Sequence, residues 1–375
     1  MNRFARIIST HSADVFGVCS ALFELGGMTV MHDASGCNST YTTHDEPRWY
    51  DMDSMVYISA LSELEAIMGD DEKLISDIVA AAEDLRPKFI ALAGTPIPAM
   101  TGFDYQAAAH MIESRTGIPA LGFATTGMNT YVHGASLAFA ALAERFVTDA
   151  PKTADKTVNI LGLTPLDFSV NGTDRSIAAF LEDRGWRILS RWAMGDTLEN
   201  ISGSAGAHVN LVVSASGLEA AKILQKRFGT PFVVGVPYGE AFGNLLAKAL
   251  ETGVSPQTPP VSGEDIVILG EGITARSLAQ AIILETGRAV RVLCTTECDP
   301  SLLGPDDRIC QTEPELEQAL TGAKVVIGDP LFRPICPADA AFVDLPTESF
   351  SGRIYRENIP DLVRNFNDFI RRYLK

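Results

Sequence analysis

The sequence contains no uninterrupted apolar run long enough to span a bilayer, and its first residues, MNRFARIIST, lack the apolar core of a signal peptide. We therefore expect no membrane partner and a cytoplasmic location. Basic residues are also scarce, because 30 Lys and Arg stand against 47 Asp and Glu, for a formal charge of -17. Nucleic-acid binders need clustered cations to displace counterions from phosphate, so we expect no nucleic-acid partner.

No Walker A sequence occurs in the chain, so any ATP hydrolysis used by its system must come from a partner. Cysteine is sparse, with six in 375 residues. In a reducing compartment each is a buried small side chain, a metal ligand or a redox thiol rather than half of a structural disulfide. Cys294 and Cys298 are four residues apart, but no second pair has zinc spacing, so we predict no zinc site there.

The sequence does contain one repeated unit. Short apolar runs such as KFIALAG and VNLVVSAS alternate with helix-period stretches such as GDDEKLISDIVAAAEDL, a pattern typical of parallel strands joined by helices. Two polar stretches, TDAPKTADKT and TGVSPQTPPVSGE, interrupt it. We predict an α/β fold of three Rossmann-like domains with parallel sheets, at residues 1–152, 153–258 and 259–375, the last with a closing C-terminal helix.

The turn HDASGC follows the first predicted strand, GGMTV. Ligands of open parallel sheets sit outside the carboxyl ends of the strands, so such a turn is a natural place for chemistry. Ser35 and Gly36 are small enough for a bulky group to approach the backbone. The thiol of Cys37 would be reachable there, as a metal ligand or a redox group.

A polar group follows this turn within a few residues, and its members are His44, Asp45, Glu46 and Arg48. These side chains could supply a catalytic acid–base pair and an anion clamp. The alternative is a solvated loop whose charges pair with each other. The sequence leaves both open.

Three segments, HDASGC, GDDEKL at a helix start and FIALAGTPIPAMTGFD, resemble the nitrogenase-type oxidoreductase component 1 family. This family includes the molybdenum-iron protein chains, the dark-operative protochlorophyllide reductase subunits and the nickel-sirohydrochlorin diamide reductive cyclase. The resemblance covers the whole chain and implies its three-domain fold. It further implies a bridging iron-sulfur cluster and an ATP-dependent, component 2-like iron-sulfur reductase that donates electrons. The implied substrate is an unsaturated small molecule, tetrapyrrole-like by analogy.

The resemblance also implies a set of cluster ligands. Cys37 matches the second family cysteine, and Thr95 stands where the third would be. The first falls near Asp14, whose alternative role is a helix N-cap, and the nearby Cys19 has core packing as its alternative. In a symmetric homodimer, Cys37 with Cys19 or Asp14 from each protomer would complete four ligands for one shared [4Fe-4S] cluster.

The segment LVVSASGLEAAKILQKRFGTPFV resembles the cofactor-domain segment of the family, but it carries Ser214 and Ser216 and no cysteine. We therefore do not expect a molybdenum-type cofactor held there, or dinitrogen as substrate.

Two other functions stay open. A chain without cluster ligands could be a cofactor carrier or scaffold of the same fold. Gly270, Gly272 and Ala275 form a G-x-G-x-x-A turn that could hold the pyrophosphate of a nicotinamide cofactor. The alternative for this turn is a plain strand-to-helix connection, because the expected acidic residue is missing from the end of the next strand.

Overall fold

Parallel sheets organise the chain. The structure is a computed structural model, and the residues it describes are 5–9, 12–34, 36, 38–256 and 265–374. The first sheet has four strands: β1 (Met28–His32), β2 (Met55–Ile58), β3 (Ile90–Gly94) and β4 (Ala120–Phe123). Their spatial order is β2-β1-β3-β4, and every pairing is parallel.

The second sheet repeats this arrangement with β5 (Thr157–Leu161), β6 (Arg187–Arg191), β7 (Val209–Val212) and β8 (Phe232–Val234). Its order is β6-β5-β7-β8. The third sheet contains β9 (Ile266–Gly270), β10 (Val290–Cys294), β11 (Arg308–Ile309), β12 (Val325–Gly328) and β13 (Ala341–Asp344). Its order is β11-β10-β9-β12-β13, again with parallel pairings.

Helices cover and connect the sheets. Those of the first part of the chain are α1 (Asp14–Leu22), α2 (Glu63–Met68), α3 (Asp71–Leu85), α4 (Pro96–Thr101), α5 (Tyr105–Thr116) and α6 (Tyr131–Arg145). Those around the second sheet are α7 (Pro165–Phe168), α8 (Thr173–Glu182), α9 (Leu198–Ser202), α10 (Leu218–Phe228) and α11 (Glu240–Thr252). The remaining helices are α12 (Gly272–Thr286), α13 (Glu313–Ala319) and α14 (Leu362–Tyr373).

Local sequence explains several of these boundaries. Helix α2 begins with a capping box, in which Ser62 and Glu65 satisfy each other's backbone N–H groups, and it ends at Gly69 in the left-handed conformation. Helix α3 buries a stripe that includes Leu74 and Ile78 at helical spacing against the first sheet. The elements therefore follow from local patterning, as expected for repeated α/β units.

Helices α1 and α6 cross with their backbones in direct contact. A Cβ atom at Gly17 would lie 1.9 Å from the carbonyl oxygen of Tyr131, and one at Gly134 would lie 1.8 Å from the carbonyl oxygen of Asp14. Only glycine permits this approach. The crossing fixes the first residue of α6, Tyr131, at the junction with the second and third sheets.

The predicted α/β fold with three parallel sheets is confirmed. One large apolar cluster joins residues from all three sheet layers, and α14 packs back against α8. The predicted domain boundaries at 152/153 and 258/259 stay predictions. No helix among the described residues is long and apolar enough to cross a membrane.

Candidate functional site

Each sheet reverses its strand order at one point, and these points define where a ligand should bind. The reversal lies between β1 and β3 in the first sheet, between β5 and β7 in the second, and between β9 and β12 in the third. In open parallel sheets the crevice outside the carboxyl ends of the strands at such a point is the usual binding site. Both candidate sites described below lie at these points.

At the first reversal point, Thr95 ties two strand ends together. Its hydroxyl donates to the carbonyl oxygen of His32 over 2.7 Å, and the Nδ1 atom of His32 lies 2.8 Å from the Ser59 hydroxyl. Burial lowers the pKa of His32 to about 4, so its imidazole is neutral at pH 7. Ser35 and Cys37 lie outside the described residues, and their predicted roles stay predictions.

Gly36 in this turn and Cys19 in α1 have different surroundings. A Cβ atom at Gly36 would meet nothing within 4 Å, so open space surrounds this position. Cys19 lies fully buried in α1, where burial and then the charge of Glu46 raise the pKa of its thiol. Because iron is bound by thiolate, this environment favours the core-packing alternative for Cys19. Its role as a ligand stays a prediction.

Asp14 is not the N-cap of α1, so that interpretation is corrected. Ala13 occupies the cap position, and Asp14 is the first helical residue. Its buried carboxylate instead accepts the backbone N–H groups of Thr126, at 3.0 Å, and Gly127, at 2.7 Å. This long-range pairing holds the loop between β4 and α6, and it occupies both carboxylate oxygens.

The structure does not gather the polar group after the turn into one pocket. His44 is half-buried in a π-helical turn at Tyr41–Asp45. The carboxylate of Asp45 lies 3.3 Å from Arg353, near the C-terminal end of the chain. Glu46 and Arg48 are instead directed into the interior.

Arg48 is the centre of a buried ion-pair network. Its Nε atom lies 2.6 Å from Glu46, and one terminal nitrogen lies 3.0 Å from Glu24 and 2.9 Å from the carbonyl oxygen of Ala193. The other donates to the carbonyl oxygen of Ser20 over 2.8 Å. This network links the first layer to the second sheet and favours the pairing alternative for these charges. The catalytic roles of Glu46 and Arg48 stay predictions.

A cavity of about 70 Å³ lies where the reversal points of the second and third sheets face each other. Three carboxyl groups line it, and each comes from a segment that follows a strand: Asp167 after β5, Glu271 after β9 and Asp329 after β12. Tyr131 reaches it from the start of α6, and Tyr238 from the loop after β8. None of the described lining residues is a cation.

Asp167 and Glu271 form an acid pair in this cavity. Burial, followed by the charge of Glu271, raises the pKa of Asp167 to about 7. Burial also raises the pKa of Glu271. The Tyr131 hydroxyl donates a hydrogen bond to Asp167. With no cation among the described lining residues, the pair can hold a proton at neutral pH, as a catalytic acid must.

Glu271 also occupies the start of α12. Its carboxylate accepts the N–H groups of Ile273 at 3.0 Å and Thr274 at 2.9 Å, and that of Ala215, after β7, at 2.9 Å. The donors that would cradle a pyrophosphate are thus bonded to a carboxylate, whose charge would repel phosphate. The geometry therefore favours the plain-turn alternative for Gly270 and its neighbours over a nicotinamide site.

The third carboxyl group, Asp329, holds the loop over the cavity. It accepts the N–H groups of Leu331 at 3.0 Å and Thr347 at 2.9 Å, and the hydroxyl of Ser351 at 2.6 Å. Burial raises its pKa. Because these hydrogen bonds all go to residues 331–351, Asp329 holds this segment in place. It follows its strand as Asp167 does, but it is not a member of the acid pair.

Sequence reasoning missed Asp167, Glu271 and Tyr131. Glu271 directly follows a predicted strand, which was a usable signal, but the glycines around it drew attention to phosphate binding. Ser214, noted because of the missing family cysteine, hydrogen-bonds with Asp167. Within the described ranges, no group of three or more His, Cys, Asp or Glu side chains is arranged to hold a metal ion.

Comparison with known proteins identifies the family. The family model described as "Nitrogenase component 1 type Oxidoreductase" matches residues 15–259, well over half of the chain. The chain belongs to this family. Both of the sites described above include residues of the matched region. The predicted resemblance is thereby confirmed.

Curated relatives of the component 1 family include two kinds of protein. A light-independent protochlorophyllide reductase chain of Pinus thunbergii is 28% identical over 40% of this chain and 35% of its own length. The nitrogenase iron-molybdenum cofactor biosynthesis protein NifE of Rippkaea orientalis is 22% identical over 67% of this chain and 59% of its own. The chain thus spans between about a third and three fifths of the length of these relatives.

A solved family structure confirms the fold. The structure titled "Nitrogenase Cp1 at pH 6.5" superposes with a TM-score of 0.70 and 16% identity, over 99% of this chain and 95% of the other. At this identity the match speaks for the fold alone. The three-sheet architecture is therefore that of a component 1 protein.

Proposed function

We propose that this chain is a component 1-type oxidoreductase that reduces an unsaturated small molecule in the cavity between the second and third sheets. The observation that carries this proposal is the acid pair of Asp167 and Glu271, buried at two facing reversal points with no cation among the described lining residues. Reduction of a double bond needs protons as well as electrons. A carboxyl group whose pKa is near 7 is suited to donate one.

The cavity size limits the substrate. Pockets for drug-sized ligands measure about 300–1,000 Å³, whereas this cavity measures about 70 Å³. A compact unsaturated molecule fits the space as it stands. A tetrapyrrole-like substrate, as the family resemblance suggests, would require the cavity walls to separate or would insert only one unsaturated group.

Electrons would come from an ATP-dependent iron-sulfur reductase through an iron-sulfur cluster, which we propose to be one [4Fe-4S] shared across a homodimer. Cys37 is its main proposed ligand, and we propose Ser35, Gly36 and Thr95 as further cofactor-binding residues. Open space at Gly36 suits a bulky group. The described residues do not supply a fitting second ligand, however, because Cys19 is fully buried and the Asp14 carboxylate is already bonded. We derive no reaction step through the cluster.

An exposed apolar surface supports the homodimer. Helices α2 and α4 pack together beside the groove that contains His32. They expose Leu64, Ile67, Met68 and Met100, with Ile67 72% exposed. Exposed apolar residues grouped in this way suit an interaction site. Leu61, just before α2, donates its N–H group to the carbonyl oxygen of Asp33, which follows β1.

The dimer is tested with Ile67→Glu, which places a charge in this patch. Its matched control is Val254→Glu, because Val254 is 67% exposed in a different region, after α11. We expect a dimeric mass in sedimentation for the unaltered protein and for Val254→Glu, and a monomeric mass for Ile67→Glu. A monomer in all three would contradict the shared-cluster proposal.

The electron path is tested by iron and acid-labile sulfide analysis of anaerobically purified protein. One four-iron cluster per dimer predicts about two irons per chain, lost in Cys37→Ala. Because Cys19 is buried in the core, we expect Cys19→Ala to retain iron. Iron-free unaltered protein would contradict the proposed electron path.

Proton donation is tested by reductase-dependent reduction of a panel of unsaturated probe molecules, protochlorophyllide and acetylene among them. Asp167→Asn should lower kcat by about 100-fold or more, because a general acid contributes at least about that factor, with little change in KM. Asp329→Asn is the matched control, since Asp329 lines the same cavity but bonds the loop. Equal losses in both variants would contradict a specific role for Asp167. Variants of His44 and Asp45 in the same assay test the catalytic roles predicted from the sequence.

A cofactor carrier is the second candidate, and similarity to the cofactor biosynthesis protein NifE favours it. A carrier would bind a metallocofactor and release it without reducing any probe. The Asp167→Asn change would then leave cofactor binding intact and have no turnover to reduce, which separates the two functions.

A further inference from the structure

Two cysteines outside the cavity lie close together at the carboxyl end of strand β10 in the third sheet. Cys294 is the last residue of β10 and is fully buried, whereas Cys298 is half-buried. Each thiol donates to a backbone carbonyl oxygen, that of Cys294 to Thr296 over 3.4 Å and that of Cys298 to Asp299 over 3.5 Å. Cys298 lines an open groove of about 230 Å³ together with His133 and Lys222. One thiol of the pair is therefore reachable from solvent and the other is held behind it.

Gly272, the first residue of α12, allows this arrangement. A Cβ atom there would lie 2.3 Å from the sulfur of Cys298 and 3.6 Å from that of Cys294. Both sulfurs therefore lie over the beginning of a 15-residue helix. The positive end of the helix favours thiolate, although the charge of Glu271 opposes this effect.

The pair differs from the other described cysteines. Burial raises the pKa of Cys19, Cys310 and Cys336. The neighbouring Cys298 instead lowers the pKa of Cys294, while Cys294 and burial raise that of Cys298. The two thiols therefore influence each other's ionisation, as expected of sulfurs that both lie against Gly272.

We propose that Cys294 and Cys298 form a redox-active dithiol, which small-molecule disulfides reach through the groove and oxidise to an intramolecular disulfide. This inference is independent of the proposed reductase activity. It gives the third sheet a covalent, reversible modification site that no comparison assigns.

The exchange has two steps and needs only the small disulfide, RSSR, as oxidant. Loss of the Cys298 proton to water leaves a thiolate facing the groove, and this thiolate attacks one sulfur of RSSR and releases RS⁻, which takes up a proton. Cys294 then gives up its proton and attacks the mixed disulfide at the Cys298 sulfur, releasing the second RS⁻. The protein loses two electrons and two protons and gains one S–S bond, and RSSR becomes two RSH.

The segment that carries the pair also connects the three sheet layers. Glu297 accepts the N–H group of Thr130 over 2.9 Å, just before α6, and Asp299 lies 3.1 Å from Lys222 of α10. The new bond would form at this junction and would draw Cys298 back from the groove. The redox state of the pair is therefore positioned to affect how the layers are held together.

The test uses the full-length protein in glutathione buffers of increasing oxidised fraction, followed by acid quenching and alkylation. Cleavage after Arg291 and Arg308 yields one peptide, residues 292–308, that contains Cys294 and Cys298 and no other cysteine. We expect its alkylation to fall about tenfold in oxidised glutathione and to return in reduced glutathione. The peptide should become two hydrogen atoms lighter, without attached glutathione.

Three variants make the test decisive. Cys336→Ser, which removes a half-buried cysteine of the same sheet layer, should leave the exchange unchanged. Cys294→Ser should trap glutathione on Cys298, because no second thiol can resolve it, and Cys298→Ser should abolish the reaction. Full alkylation in every buffer, or glutathione that persists on Cys298 in the unaltered protein, would overturn the proposal. Retention of a metal that blocks alkylation in reduced buffer would overturn it as well.

Discussion

Two regions of this molecule bury carboxyl groups, and they differ in whether a cation lies against them. Glu46, beside the first sheet, is fully buried and lies against the equally buried Arg48. Asp167 and Glu271, between the second and third sheets, meet hydroxyl and backbone N–H groups but no cation among the described lining residues. The first arrangement joins one guanidinium to two carboxyl groups, since Glu24 also lies against Arg48. The second stores a proton.

This difference separates a buried carboxyl group that stabilises the fold from one that can donate a proton to a substrate. A guanidinium whose donors are all engaged by buried partners leaves nothing to offer a substrate. Carboxyls that lack a cation must instead share a proton, which they can give up. The reduction that we propose for this chain therefore belongs to the second region.

Removal of Arg48 should have the largest effect on stability. Arg48→Met leaves Glu46 buried without its cation, and breaking such a pair costs about 3–5 kcal/mol. The measurement is the free energy of unfolding in urea at pH 7. Adding Glu46→Gln should recover part of the loss, and Arg187→Met, at a solvent-exposed pair, should change little. A near-normal free energy of unfolding for Arg48→Met would show that Glu46 does not depend on this cation.

The cavity should make the stability of the folded chain fall as the pH rises. The pKa of Asp167 in the folded chain, about 7, is above its ordinary value of 3.8. The folded state therefore binds the proton more tightly. Its contribution is complete below about pH 4 and is lost as the pH rises through about 7, by on the order of 2–4 kcal/mol.

The check is urea unfolding from pH 4 to 8, with Asp167→Asn, which should flatten this decline. Asp329→Asn again serves as the comparison within the same cavity. Stability that rises steadily over this range in the unaltered protein, and is unchanged in slope by Asp167→Asn, would show that Asp167 holds no proton.

Tyr131→Phe should change the pH dependence of stability by a smaller amount. The Tyr131 hydroxyl donates to Asp167, and this bond lowers the pKa of the carboxyl. Without it, the pKa should rise by up to about one unit, or roughly 1.4 kcal/mol. The midpoint of the pH-dependent decline should move upward accordingly. A downward shift would mean that Tyr131 stabilises the protonated form instead.

His44→Ala should have the smallest effect on stability. The side chain is half-buried in a short π-helical turn, and substitutions at such surface positions usually change stability by less than about 0.5 kcal/mol. Unfolding in urea measures this directly. A large loss of turnover with unchanged stability would support the catalytic role predicted from the sequence, and unchanged turnover would contradict it.

The fold could be predicted because its signals are local. Strand and helix patterns repeat along the chain, and each unit is readable within a few tens of residues, so three parallel sheets followed from the sequence. The ion pair of Glu46 and Arg48 was also visible, since the two residues are neighbours in the chain. What the pattern could not show was that both point inward and reach Ala193 in the next layer.

The cavity escaped prediction because its parts are distant in sequence. Asp167 and Glu271 meet only when the carboxyl ends of two separate sheets face each other, and no spacing rule relates them. Tyr131 joins them because two glycines let α1 and α6 cross closely. The rule that ligands bind where strand order reverses would have found both acids, but only once the strand order of each sheet was known.

The infrared spectrum of the protein at pH 6, in the carbonyl region of protonated carboxyl groups, measures directly whether Asp167 holds a proton. We expect a band that disappears on raising the pH above about 8 and is absent in Asp167→Asn, while Asp329→Asn retains it. A spectrum in which Asp167→Asn removes no protonated-carboxyl band at pH 6 would contradict the claim that this cavity stores the proton for reduction.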